Sequence, residues 1–172
     1  MAAPTSADLA TVGAQLGRSP RALVGIAHRC PCGSPDVVAT APRLPDGSPF
    51  PTYYYLTCPR LAAEIGTLEA GGLMRDMTDR LARDDDLRLH YAHAHSSYLL
   101  DRTEHGEVPE IAGISAGGMP GRVKCLHALV AHSLAAGPGV NPIGDEALDL
   151  LPPWWSRGSC AVLADSVAGE AR

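Results

Sequence analysis

Apolar residues fall at strand-like spacing in the first third of the chain and at helical spacing in the rest. Leu9, Val12 and Leu16 lie on one helical face, Thr5 or Ser6 can cap that segment, and Gly17 can stop it. Residues 23–28 form a short β-prone run, and Val37-Val38-Ala39 a second. Between them Pro31-Cys32-Gly33-Ser34-Pro35 is turn chemistry, so residues 21–41 read as a hairpin. Residues 42–51 hold four prolines and Asp46-Gly47 and read as a loop. Residues 52–57 are aromatic and β-prone, a third strand that ends at Cys58-Pro59.

From Pro59 the period changes. Pro59 suits a first helical position, Leu61, Ile65 and Leu68 share a face, and Gly71-Gly72 ends the segment. Leu73, Met77 and Leu81 continue at helical spacing. Asp84-Asp85-Asp86 supplies a cap and acidic residues for a helix carrying Leu87, Tyr91, Ala94 and Tyr98 to about Arg102. Residues 104–118 read as loop. A further helix is expected from about Pro120 to about Ala136, with Val123, Leu126 or His127, Val130 and Leu134 on one side. Gly137-Pro138-Gly139 ends it, residues 141–144 are a turn, and Asp145 is placed to cap a short last helix through Leu151. The pattern predicts an α+β protein: a small antiparallel sheet of about three strands followed by a helical C-terminal half. The predicted organisation is an N-terminal helix (1–17), a single α+β domain (18–151) and a surface tail (152–172).

Length and composition narrow the class. The 172 residues fit one domain, and a hydrophobic fraction of 45% is enough for a buried core. A formal charge of −5 gives no electrostatic reason to bind nucleic acid or an anionic membrane. No apolar run approaches the roughly 18 residues of a membrane span. The N-terminus shows no charged segment followed by an apolar one, so the expected compartment is the cytoplasm. The thirteen arginines against a single lysine, Lys124, read as coding bias rather than chemistry.

A reducing compartment disfavours structural disulfides, and the five cysteines, Cys30, Cys32, Cys58, Cys125 and Cys160, are then free, metal-bound or catalytic. Cys30 and Cys58 follow predicted strands and Cys125 lies in the opening of a predicted helix. Cys30-Pro31-Cys32 has the spacing of half a zinc ribbon, but no second Cys-x-x-Cys knuckle accompanies it. On a helix His127 would point about 200° away from Cys125, so a shared ion would require that turn to be non-helical. His132 would lie on the face of Cys125 but roughly 10 Å further along the axis.

The glycine-rich stretch from Gly113 to Gly121 runs into that helix. Gly117 and Gly118 permit φ > 0, free amides at a helix start attract anions, and Arg122 and Lys124 add positive charge. A small anionic ligand is the expected occupant. The stretch is neither a phosphate-binding Gly-Lys-Ser/Thr loop nor a dinucleotide-binding fingerprint.

Several short strings occur in a specific order: Arg29-Cys30 with Gly33 and Pro35; Pro45-Asp46-Gly47 with Pro49-Phe50-Pro51-Thr52; Leu56-Thr57-Cys58-Pro59; His95 with Tyr98 and Arg102; Gly117-Gly118; Val123-Lys124-Cys125-Leu126-His127; Ala131-His132 with Leu134-Ala135; and Asn141-Pro142 with Gly144. Over roughly residues 18–150 the chain resembles a bacterial family known as domain of unknown function 501. The resemblance implies no activity. It does imply that Cys30, Cys58, Cys125, His127 and His132 are family positions and that Cys32 and Cys160 are not. Leu129 stands where some members carry another histidine.

Three readings follow. The first is a zinc or iron–sulfur site built from Cys30, Cys58 and Cys125 with a histidine, His127 or His132, as fourth ligand; Cys32 and Cys160 are bystanders in it. The second is a thiol-dependent enzyme with Cys125 as nucleophile beside the anion-binding helix start. The third is a non-catalytic interaction protein that presents Tyr53-Tyr54-Tyr55 and Trp154-Trp155. The sequence names neither a substrate nor an oligomeric state.

Overall fold

The computed structural model describes residues 1–160. Three strands, β1 (Leu23–Arg29), β2 (Pro35–Thr40) and β3 (Tyr54–Leu56), form one antiparallel sheet in the order β1-β2-β3. The third strand is shorter than its aromatic run. The amides of Tyr53 and Tyr54 both donate to the Tyr98 hydroxyl, at 2.5 and 3.3 Å, so the start of that run is pinned to a helix. β1 and β3 are both antiparallel to β2 and hence parallel to each other. Their C-terminal ends, followed by Cys30 and Cys58, therefore lie at the same end of the sheet.

β2 is buried along its whole length because both faces of the sheet are covered. One face meets α1 (Ser6–Leu16), where Val12, Ile26 and Val38 form a small apolar cluster. α1 starts at a capping box: the Asp8 amide donates to the Thr5 hydroxyl, and the Asp8 carboxylate accepts from the Thr5 amide. Asp8 also accepts two hydrogen bonds from Arg29, at 2.7 and 2.9 Å, which pins the helix to β1. The other face meets the helical layer.

That layer contains α2 (Pro59–Ala70), α3 (Leu73–Leu81), α4 (Asp85–Thr103), α5 (Leu126–Ala136) and α6 (Pro142–Asp149). The starts of three helices follow from local chemistry. Pro59 is the first residue of α2, the Asp84 side chain caps α4, and Asn141 caps α6 by accepting from the Gly144 amide. Asp145, the expected cap of α6, lies inside its first turn and accepts from the Gly139 amide. At Gly144 an added Cβ would sit 2.3 Å from the Leu129 carbonyl oxygen and from Ser133 Oγ, so α6 approaches α5 at a distance only glycine allows.

α5 begins six residues later than the apolar spacing predicts. Residues 117–125 are a compact loop containing a cis Met119–Pro120 bond, with Gly117 at φ 67° and Gly118 at φ 96°. Of the predicted surface tail, residues 152–160 are mostly exposed, with Trp154 and Cys160 turned inward. A single 3-10 turn (Trp154–Arg157) buries Trp154 against the main core, and Cys160 is buried in the same cluster. Residues 161–172 of the predicted tail lie outside the described residues. Among the described residues no helix is long and apolar enough to cross a membrane.

α4 holds the loops in place. Tyr91, Ala94, Tyr98 and Arg102 form its buried stripe. The Arg102 guanidinium, almost fully buried, donates to the carbonyl oxygens of Pro51, Ile111 and Ile114, and among the described residues its acceptors are neutral. Arg102→Ala leaves three inward carbonyls without their donor, and the expected cost is about 3 kcal/mol of unfolding free energy. Urea denaturation of the variant and the parent measures it; a loss below about 0.5 kcal/mol, typical of a surface site, would contradict the role assigned to Arg102.

Candidate functional site

The structure sorts the cysteines into two groups. The sulfurs of Cys30, Cys32 and Cys160 lie within 4.8 Å of one another, and Cys30 Sγ is 3.7 Å from Cys160 Sγ. The Cys58 thiol also interacts with Cys160 but is not within 4.8 Å of all three sulfurs. The second group is Cys125, His127 and Glu69, each offering one ligand atom within 4.8 Å of the others. The sulfurs of Cys30, Cys58 and Cys125 do not converge as expected, and Cys32 and Cys160, expected as bystanders, stand beside Cys30.

Topology assembles the first group. The hairpin turn places Cys30 and Cys32 at one end of the sheet, with the Gly33 amide donating to the Cys30 carbonyl at 2.8 Å and the Cys30 amide to the Ser34 carbonyl at 3.0 Å. Cys58 is the N-cap of α2 and accepts from the Leu61 amide at 3.5 Å. Cys160 comes in from the buried Trp154 turn. All five cysteines are free thiols. Burial raises the Cys30 thiol to about 11 and raises that of Cys160 as well. Burial also opposes ionisation of Cys32, but hydrogen bonds from the backbone at Cys160 and Ser34 outweigh it and bring that thiol down to about 7.

The second group exists because Cys125 is not helical. Its φ of −155° and ψ of 108° make it the N-cap of α5, so the 200° separation from His127 does not apply. Cys125 makes no capping hydrogen bond to α5. Glu69, from the last turn of α2, takes that place: its Oε1 accepts from the Leu126 amide at 2.7 Å and lies 3.2 Å from His127 Nδ1. The other ring nitrogen, Nε2, is 3.1 Å from the Ala62 carbonyl oxygen. Hydrogen bonding with His127 lowers the Cys125 thiol, and the same contact, helped by Glu69, raises His127 to about 9. A groove of about 720 Å³ runs past Cys125 and His127, with Tyr54, Thr57 and Ala62 in its walls.

Glu69 was not a sequence candidate. Its position carried a signal: a carboxylate in the last turn of a helix opposes that helix's own dipole and so points to an employment elsewhere. The signal for Cys160 was the Trp154-Trp155 pair just before it, too apolar for a free surface segment.

In the glycine loop four amides are paired internally: Met119 with the Ala116 carbonyl, Arg122 with Gly118, and Lys124 and Cys125 with Gly117. The Val123 amide donates to Thr78 Oγ1. Arg122 and Lys124 are exposed, and the anion at the start of α5 is the protein's own Glu69.

His132 joins neither group. It is fully buried, stacked on Tyr54 with ring centroids 5.7 Å apart and edge-on to Tyr98 at 5.2 Å. Asn141 Oδ1 accepts from the Gly144 amide, so its Nδ2 donates to His132 Nδ1 at 3.2 Å. Nε2 then carries the proton, and it has no partner among the described residues. Burial pushes the His132 pKa down to about 4. Because the native value lies below the unfolded value of 6.5, the unfolded chain binds the proton first as the pH falls. The stabilising contribution is complete above pH 6.5 and is lost between pH 6.5 and about 4, amounting to about 3 kcal/mol over that window. His132→Phe is expected to remove one proton from the pH dependence of unfolding there; identical slopes for variant and parent would contradict it.

A family model described as "Protein of unknown function (DUF501)" matches residues 26–149. No curated protein and no solved structure matches the chain.

Proposed function

This chain belongs to the DUF501 family, whose description assigns no activity, and from its own geometry we propose that it is a metal-binding protein in which Cys30, Cys32, Cys58 and Cys160 hold one zinc-class ion. The observation that carries this reading is the approach of three sulfurs to within 4.8 Å, with one pair at 3.7 Å. Four thiolates bound at about 2.3 Å in a tetrahedron stand about 3.8 Å apart. A disulfide would bring two sulfurs to about 2.05 Å instead. In an iron–sulfur cluster the thiolates bind different irons and spread wider, so the spacing favours a single ion.

The donor set fits a soft, tetrahedral dication. Amide hydrogen bonds to sulfur, such as Leu61 to Cys58, support thiolates and orient them. The role is structural: the ion joins the hairpin turn, the junction of β3 with α2, and the segment that follows the Trp154 turn. With four protein donors it has no place for substrate.

Protein purified under reducing conditions is expected to carry this ion by elemental analysis. Cys30→Ser and Cys160→Ser, singly or together, lower the metal content by one equivalent per chain and lower the melting temperature; chelation of the parent reproduces the thermal shift. Unchanged metal content in the Cys30→Ser/Cys160→Ser protein would overturn the assignment.

A further inference from the structure

The second cluster differs from the first in composition, exposure and surroundings. Glu69, Cys125 and His127 are each half-buried, and one carboxylate oxygen, one sulfur and one imidazole nitrogen converge within 4.8 Å. They come from the end of α2 and the start of α5, and none of them belongs to the thiolate group. On one side of the cluster is protein; on the other is the groove of about 720 Å³, which Cys125 and His127 help to line.

Two chemistries suit a cysteine, a histidine and a glutamate so placed: a nucleophilic thiol with its base, or a metal site. The surrounding hydrogen bonds decide between them. A thiol that performs acyl transfer needs backbone amides free to receive the developing oxyanion. The Cys125 amide donates to the Gly117 carbonyl at 3.3 Å and the Leu126 amide to Glu69 at 2.7 Å, so neither of these two amides is free for that role. A carboxylate within 4.8 Å of the sulfur also places negative charge beside a thiolate, which opposes a free anionic nucleophile and suits a shared cation.

The same contacts are those of a supported metal ligand set. A ligating histidine donates its remote N–H to a carbonyl, which fixes the ring and leaves the other nitrogen's lone pair for the ion. His127 Nε2 does so with Ala62 and turns Nδ1 toward Glu69. Glu69 is itself oriented by the Leu126 amide. Cys125, extended at the N-cap, projects its sulfur outside the helical turn that His127 occupies.

We infer that Glu69, Cys125 and His127 form a second, open metal site that takes a zinc-class divalent ion through three protein donors and turns its remaining coordination position to the groove. Three protein ligands and one exchangeable position is the arrangement that lets zinc bind water or a ligand's donor atom. The groove walls contributed by Leu16, Tyr54, Leu56 and Ala63 are apolar or aromatic and carry no charge, so an uncharged ligand with an oxygen, nitrogen or sulfur donor fits better than a phosphate. This inference is independent of the thiolate site.

The test counts metal in the full-length protein after loading with Co²⁺ or Zn²⁺ and removal of excess. The parent is expected to hold two equivalents per chain, the Cys125→Ser/His127→Ala protein one, and the Cys30→Ser/Cys160→Ser protein one. Equal metal content in the parent and the Cys125→Ser/His127→Ala protein overturns the open site, whereas equal content in the parent and the Cys30→Ser/Cys160→Ser protein overturns the thiolate site and leaves this one standing. The visible spectrum of the Co²⁺ protein reads the open position: acetohydroxamate should change it in the parent and in Cys30→Ser/Cys160→Ser, but not in Cys125→Ser/His127→Ala. No change in the parent overturns the exchangeable position. Iodoacetamide labelling of unmutated protein, followed at Cys125 by peptide mass, is insensitive to any variant's folding. Labelling that is slow in the metal-loaded protein and at least tenfold faster after chelation supports the site; equally fast labelling in both makes Cys125 a free nucleophile and overturns it.

Discussion

Glu69 ties the last turn of α2 to the first turn of α5. α5 starts at a residue whose side chain does not cap it, and its first turn therefore depends on a carboxylate delivered by another helix. A charge at a helix N-terminus contributes about 0.3–1 kcal/mol, and a hydrogen bond to a charged group about 1.5–3 kcal/mol. The same carboxylate sits unfavourably in the last turn of α2. The hydrogen bond to Leu126 is the larger effect, so Glu69 is best placed when both helices are docked. That contact anchors the first turn of α5. The start fixes Cys125 and His127 at the groove and carries His132, further along the helix, into the core beneath Tyr54. α6 then follows α5 closely because Gly144 lets it.

Much of this fold was legible because local chemistry and local structure agree. The α+β order, the hairpin, the proline at the start of α2, the Asp84 cap and the periodic stripe of α4 need only a few neighbouring residues each. The start of α5 was not legible for the converse reason. Val123 keeps helical spacing with Leu126 and Val130, so periodicity alone extends the helix back to Pro120. Gly117 and Gly118 at positive φ, held by hydrogen bonds from Lys124 and Cys125 to Gly117, fold that stretch into a loop instead. Val123 is still buried, so the apolar spacing was satisfied without a helix.

The candidate sites were legible residue by residue but not as sets. Cys30 and Cys58 share a sheet end only because β1 and β3 flank β2, a choice the hairpin alone leaves open. Cys160 is 130 positions from Cys30, and no periodic pattern spans that distance. Cys32 lacked a second knuckle in sequence because its partners come one at a time from separate segments. Glu69 was hidden by being an ordinary residue type on an ordinary helix. Cys125 and His127 were separated by a helical-wheel argument that holds only inside a helix.

The two clusters divide their work by access to solvent. In the first group Cys30 and Cys160 are buried, as is Cys58 nearby, and the proposed ion there would be closed to solvent. In the second group every residue is half-exposed, one of the candidate donors is a carboxylate, and a groove lies alongside. α2 connects them. Cys58 stands at its start and Glu69 in its last turn, 11 residues and roughly 16 Å apart at 1.5 Å per residue. Leu61 and Ile65 bury the intervening face completely, so the helix transmits position as a strut rather than bending between its ends. α2 therefore carries Cys58, Ala62 and Glu69 as one rigid unit.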